Sequence, residues 1–211
     1  MCSVRYKIRM IAIIDYGMGN IHSVKKALEA KGAKVVVTSN PAEIKRSAKL
    51  VLPGVGAFGD AMAELKDRGL IGPVAEHIKD GKIFLGICLG MHLLFESSEE
   101  SPDVPGLGIL KGRIVRFNPA AGLKIPHMGW NQIKLRKVNC PLFKGLETGA
   151  EVYFCHSYYP RPADPGVIAA GTEYGEDFAS IIWSNNVLAA QFHPEKSQSA
   201  GLKILENFVN L

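Results

Sequence analysis

The sequence lacks any stretch approaching the roughly 20 apolar residues that a membrane span requires, and its 211 residues include only four cysteines, Cys2, Cys88, Cys140 and Cys155. None of the four belongs to a C-x-x-C pair, which excludes zinc-ribbon and thioredoxin-type readings. A chain of this length can build a core without a disulfide staple. Runs of basic residues interleaved with aromatics are also missing. The formal charge of +5 is scattered over positions such as Lys25, Lys45, Arg113 and Arg136. That distribution argues against nucleic acid and suits an acidic protein partner or a phosphorylated metabolite better. There is no internal repeat and no low-complexity linker. Residues 1–9 carry Arg5, Lys7 and Arg9 but no apolar core of secretory length. They read as an N-terminal extension, with Met10 as an alternative start, ahead of a single domain over 10–211. The expectation is a reduced, cytoplasmic protein with no membrane segment and no metal.

What is present is a globular composition, 47% hydrophobic and 21% charged, sufficient for one domain with a sizeable core. The first half alternates strand and helix. Residues 10–15 form a continuous apolar run, as a strand buried on both faces does. Asn20 and Ser23 can cap a helix to about Lys31, ended by Gly32. A β-branched strand follows over 35–38, then a short strand over 50–52 that stops at Pro53. Helical patterns cover 57–68 and 70–79, the next strand 83–85 and the next helix 89–97. Such alternation implies right-handed crossovers and a mostly parallel sheet. The second half reads as strands over 109–117, 131–135, 152–158, 167–171, 179–183 and 187–192, with a hairpin turn at Asn185-Asn186. A last helix covers 199–209. The expected fold is α/β: a mostly parallel central sheet flanked by helices, with an antiparallel β extension in the C-terminal half.

The most informative segment runs from Lys82 to Phe95. An apolar strand leads into Gly86-Ile87-Cys88-Leu89-Gly90 and then into an apolar helix. Glycines on either side of a central residue permit the sharp strand-to-helix turn of a nucleophile elbow, with the side chain presented at a helix N-terminus that favours thiolate. A small buried cysteine between two packing glycines would give the same local pattern, so Cys88 needs a base. The candidates are His193 and Glu195 in Gln191-Phe192-His193-Pro194-Glu195-Lys196-Ser197. Pro194 pushes His193 towards extended backbone, where residues two apart face the same way, so the carboxylate can orient the imidazole. Acyl chemistry also needs oxyanion donors. The glycine-rich turn Pro53-Gly54-Val55-Gly56 can supply the N–H of Val55, and Leu89 follows the nucleophile. Gly17-Met18-Gly19 begins like a dinucleotide fingerprint, but His22 replaces the third glycine and the second strand ends without an acidic residue. A nicotinamide or flavin enzyme is therefore not expected.

Together, G-I-C-L-G, P-G-V-G and H-P-E-K-S resemble the class I, triad-type glutamine amidotransferases. The segments I-D-Y-G-M-G-N (residues 14–20) and P-H-M-G-W-N (126–131) are similar to the glutaminase subunits of imidazole glycerol phosphate synthases in histidine biosynthesis. The resemblance implies that Cys88 attacks the glutamine carboxamide and that His193 serves as acid and then base. It also implies a separate (β/α)8-barrel cyclase subunit as partner in a heterodimer, reached by ammonia through a protected channel, and no cofactor. It places Asn20, Trp130, Tyr153 and Lys196 towards the barrel. It places Gly54, Gly56, His156, Ser157, Tyr158 and the position of His92 around the glutamine. His92 departs from the family, which has Gln there, and lies one helical turn after Cys88, so it rivals His193 as base. Lacking a carboxylate to orient it, His92 reads as a pocket residue. A cysteine-elbow hydrolase of another specificity would run nucleophile, acid, histidine along the chain, and here the histidine precedes the acid. A non-catalytic protein on the same elbow would leave H-P-E and P-H-M-G-W-N unexplained.

Overall fold

The computed structural model describes residues 10–119 and 122–211, so the expected extension over 1–9 lies outside it. Strands β1 (Ile11–Ile14), β2 (Val35–Thr38), β3 (Lys49–Gly54) and β4 (Ile83–Cys88) alternate with α1 (Ile21–Glu29), α2 (Pro41–Arg46), and the pair α3 (Phe58–Asp67) and α4 (Ile71–Lys79). After β4 come one turn of helix, α5 (Leu89–His92), and the strands β5 (Ser97–Ser98), β6 (Gly112–Arg116), β7 (His127–Gln132), β8 (Lys134–Leu135), β9 (Glu151–His156), β10 (Tyr158–Pro162), β11 (Ile168–Tyr174), β12 (Glu176–Ser184) and β13 (Val187–Ala190). Helix α6 (Gln198–Asn210) follows.

The main sheet has eight strands in the order β2-β1-β3-β4-β13-β12-β11-β8. Its first five strands are parallel, and the pairings from β13 outward are antiparallel. The C-terminal strands thus extend the same sheet, as expected of the fold class. The alternating side chains of β1 explain its apolar run. Ile11 and Ile13 pack with Val24 and Leu28 of α1 and with Ile204, Leu205 and Phe208 of α6. Ala12 and Ile14 pack on the opposite face with Ile44 of α2, Phe58, Ala61 and Leu65 of α3, and Val74 of α4. Two smaller sheets, β10-β6-β5 and β7-β9, stand beside the main one. Lys49, buried at the start of β3, donates from Nζ to the carbonyls of Phe208 and Val209, 2.8 and 2.6 Å away. A cation at those carbonyls answers the negative end of α6.

Three local features differ from the sequence reading. Helix α2 had no counterpart, although its signals are plain: Asn40 accepts the N–H of Ala42 at 2.9 Å and Pro41 occupies the first turn. Strand β3 continues through Pro53 to Gly54. Its pairing with β1 ends at Val51, so beyond that point no β1 ladder bond calls for the N–H that Pro53 lacks. The helix after Cys88 stops at His92 and not near 97. Leu93, Leu94 and Phe95 are all buried, and their carbonyls and that of Glu96 accept the N–H groups of Leu107, Leu110, Gly108 and Gly106. Three consecutive core side chains and an incoming loop leave no register for further helix.

Candidate active site

The parallel strands β1, β3 and β4 deliver their C-terminal ends to one edge of the sheet, where open α/β folds place their sites. Cys88 ends β4 in a left-handed conformation, φ +53°, rare for a residue with a side chain. Such backbone costs about 1–3 kcal/mol and persists only where its surroundings enforce it. Here they do. A Cβ on Gly90 would land on the carbonyl oxygen of Leu52, and one on Gly86 would sit 2.7 Å from the carbonyl oxygen of Gly90. Glycines at both positions let α5 fold back on β3 and β4. Gly54 lies opposite Cys88 in the β3–β4 ladder, and a Cβ there would be 2.9 Å from that of Leu89. The buried Tyr16 hydroxyl donates to the carbonyl of Pro53 at 2.9 Å and pins this strand end. Burial, and next to it the Cys88 sulfur, raise the phenol well above its ordinary range, so it stays a donor.

His193 reaches Cys88 from the loop after β13. Its N–H donates to the carbonyl of Tyr153 at 3.0 Å. The Ser197 hydroxyl donates to the His193 carbonyl at 2.7 Å and accepts the N–H of Tyr153 at 2.9 Å. The loop is thereby fastened to β9. The backbone of His193 is extended, as Pro194 predicts, but Pro194–Lys196 is a turn of 3-10 helix. The carboxylate of Glu195 therefore meets the imidazole across a tight turn, and the expected face-sharing along an extended strand does not occur. His193 Nδ1 donates to Glu195 Oε1 at 2.9 Å, which leaves Nε2 free to face the cavity that Cys88 also lines. Burial would lower the imidazole, but the neighbouring Cys88 and Glu195 outweigh it and hold His193 well above its ordinary value. The arrangement favours an imidazolium beside the sulfur. The helix after Cys88 is a single turn, Leu89–His92, and has little dipole to offer.

A cavity of about 290 Å³ opens on this group, at the small end of ligand pockets, which span roughly 300–1,000 Å³. Val55, Gly56, Cys88, Leu89, His92, Ser157, Tyr158 and His193 line it, as do Tyr153 and Lys196, expected towards a partner. Gly54 is buried behind this wall, and Asn20 caps α1 by accepting the N–H of Ser23, so neither joins the lining. The sequence reading had passed over Pro126 and Cys155, which line the cavity. Alternation along β9, with Tyr153 and Cys155 half-buried between fully buried neighbours, is the signal that could have shown Cys155. Glu100 also lines the cavity, and its Oε2 accepts the N–H of Phe58 at 2.8 Å. Larger hollows of about 720 and 580 Å³ lie beside α6 and contain no member of the Cys88, His193, Glu195 group. Among the described residues no cluster of three or more His, Cys, Asp or Glu could hold a metal ion, and no helix is long and apolar enough to cross a membrane.

His92 is held by its contacts. It is buried, its Nε2 donates to Gln191 Oε1 at 2.7 Å, and burial pushes its pKa down to about 4. A glutamine at 92 can make the same bond to Gln191. His92→Gln should therefore keep or lower the KM for glutamine and leave kcat within about tenfold, because loss of a general base typically costs 10²–10⁴. Steady-state kinetics beside His193→Ala checks this; a collapse of kcat in His92→Gln alone would make His92 the base.

A strained cysteine elbow, a histidine and a carboxylate on an eight-stranded α/β sheet define a triad-type acyl-transfer site, and residues 12–211 match the family Glutamine amidotransferase class-I, to which the chain belongs. Among named relatives it is 52% identical over 204 residues to imidazole glycerol phosphate synthase subunit HisH of Syntrophotalea carbinolica, covering 94% of this chain and 98% of that one. It is 54% identical over 197 residues to the subunit HisH of Aquifex aeolicus, covering 93% and 94%. A crystal structure of glutamine amidotransferase shares the fold at a TM-score of 0.74 and 20% identity, over 95% of this chain and 99% of that chain. The PurLQS structure from Thermotoga maritima does so at 0.74 and 18%, over 95% and 97%.

Proposed function

We propose that this chain is the glutaminase subunit of an imidazole glycerol phosphate synthase, acting in the cytoplasm as a single domain over 10–211. The observation that carries the catalytic assignment is His193, bonded to Glu195 Oε1 at 2.9 Å and lining the same cavity as Cys88. The Cys88 thiolate attacks the side-chain carboxamide carbon of glutamine. The oxyanion is met by the N–H of Leu89 and, after a turn of its peptide, that of Val55. His193 gives its proton to the departing nitrogen and ammonia leaves. The same imidazole, now neutral, takes a proton from water, which attacks the glutamyl thioester and releases glutamate and the thiol. Glu195 orients the ring and stabilises its charged form.

The relatives named as synthase subunits support a partner, and we infer a (β/α)8-barrel cyclase subunit that takes up the ammonia. Its docking face is the surface of β7 and the triad loop. Met128 and Trp130 are 56% and 46% exposed there, Trp130 stands opposite Tyr153 and meets it edge to face, and Lys196 is exposed beyond His193. Ammonia release from glutamine, measured alone and with the cyclase barrel, tests the proposal: activity dependent on both triad and barrel supports it, and hydrolysis of esters in place of glutamine overturns it. Trp130→Ala should weaken the complex by about 2 kcal/mol or more, as loss of a buried aromatic anchor does, measured by calorimetric titration. Because the ring is half exposed in the free chain, the melting temperature should barely change; global unfolding would make Trp130 a core residue.

A further inference from the structure

Behind the cavity wall two histidines outside the triad form a hydrogen-bonded line whose proton positions are fixed by its ends. His156 Nδ1 lies 2.8 Å from the carbonyl of Tyr158, which can only accept, so Nδ1 carries the hydrogen and Nε2 is an acceptor. His127 Nδ1 lies 3.0 Å from that Nε2 and therefore donates to it. Asn131 Nδ2 lies 3.3 Å from His127 Nε2, leaving that atom as acceptor and closing the same tautomer from the other side. The Asn131 amide is itself set, donating to the carbonyl of Glu173 at 3.0 Å and accepting the N–H of Gln132 at 2.8 Å. Every bond in the line thus agrees with a neutral ring protonated on Nδ1.

The surroundings keep both rings neutral and still. The His127 ring stacks between Tyr174, 3.9 Å away and tilted by 22°, and Phe154, 4.8 Å away and tilted by 24°. Burial pushes His127 down to about 4 and His156 well below the ordinary imidazole range, and for His156 the neighbouring His127, His92 and His193 add to the effect. The line ends at the pocket. His156, Ser157 and Tyr158 all line the cavity, and so does Pro126, next to His127. His127 itself does not reach the cavity.

We propose that His127 is a positioning residue for glutamine binding: its Nδ1–H, held by Asn131, fixes His156, and His156 fixes the Ser157–Tyr158 wall against which the substrate lies. This rests on the glutaminase reading above. Losing the donor leaves a buried acceptor unsatisfied, a cost that elsewhere is large compared with the net worth of the bond. A wall that touches substrate in ground and transition states alike appears in KM and not in kcat.

The test is steady-state glutaminase kinetics on the complex with the cyclase subunit, comparing wild type, His127→Phe and His127→Asn. Phenylalanine keeps the stack with Tyr174 and Phe154 but has no donor. Asparagine places an amide N–H near the position of Nδ1. The expected result is a KM for glutamine raised about tenfold in His127→Phe with kcat within about threefold, and a return to within about threefold of the wild-type KM in His127→Asn. An unchanged KM in His127→Phe, or equal impairment in the two variants, would overturn the proposal while leaving the glutaminase reading intact. A wild-type complex that released no ammonia from glutamine would instead overturn that reading. Long-range ¹⁵N–¹H spectra of the full chain give a readout apart from activity: both His127 and His156 should be protonated on Nδ1 only. Protonation on Nε2 of either ring would also overturn the relay.

Discussion

Cys88→Ala should lose glutaminase activity by about four to six orders of magnitude, as removal of a nucleophile from a triad does, while the melting temperature stays near that of the wild type. The side chain is small, the Cβ is retained, and the strained φ of +53° is imposed by Gly86, Gly90 and Leu52 and not by the sulfur. His193→Ala should be almost as severe, since the proton on the leaving nitrogen has no other source: the cavity's other imidazoles, His92 and His156, have their pKa values pushed down and are already bonded. Glu195→Gln should lose one to two orders less, because an orienting carboxylate contributes less than the nucleophile or base it serves. Its amide can still accept from Nδ1 across the same turn. Ammonia release by each variant in the assembled complex, with circular dichroism as the fold control, measures the set. A Cys88→Ala variant that kept a tenth of the wild-type rate would reject the nucleophile.

The isolated chain should hydrolyse glutamine about 100- to 1,000-fold more slowly than the complex with a ligand-bound cyclase subunit, the span that one oxyanion donor is worth. The turn after β3 is where we infer such a donor is switched. The carbonyl of Pro53 is held by Tyr16 and the N–H of Phe58 by Glu100. Only Gly54, Val55, Gly56 and Ala57 lie between those two anchors. Val55 is 41% exposed and Gly56 sits at φ +98°, so the peptide between Gly54 and Val55 can turn with little steric opposition on its outer side. A partner docked on this face can hold the Val55 N–H towards the substrate oxygen. Initial rates with and without the cyclase subunit measure the effect. Full-speed hydrolysis by the chain alone would remove the gating role from this turn.

Much of the fold was legible in the sequence. The elbow could be read from Gly86, Cys88 and Gly90 because glycine spacing reports a steric demand that is local. The parallel half was legible because each strand is apolar on both faces and each helix is punctuated by glycine or a cap. What escaped the sequence was decided by partners distant in the chain. The helix after Cys88 was cut short by a loop that takes its carbonyls. Proline at 53 was tolerated because a neighbouring strand had already ended. The roles of Ser197, which ties the triad loop to β9, and of Gln191, which holds His92, depend on hydrogen bonds that no periodicity encodes. His156 could be suspected as a pocket residue only through the family resemblance, and its dependence on His127 needed the paired strands β7 and β9.

The most direct measurement is covalent labelling of the complex with an electrophilic analogue of glutamine, located by peptide mass spectrometry. Cys155 shares the cavity with Cys88, while Cys140 is buried elsewhere, so the label can tell the two cavity thiols apart. The triad assignment predicts one label per chain, on Cys88, prevented by excess glutamine and absent from Cys88→Ala. Labelling of Cys155 in its place, or labelling of Cys88 that glutamine does not block, would contradict it.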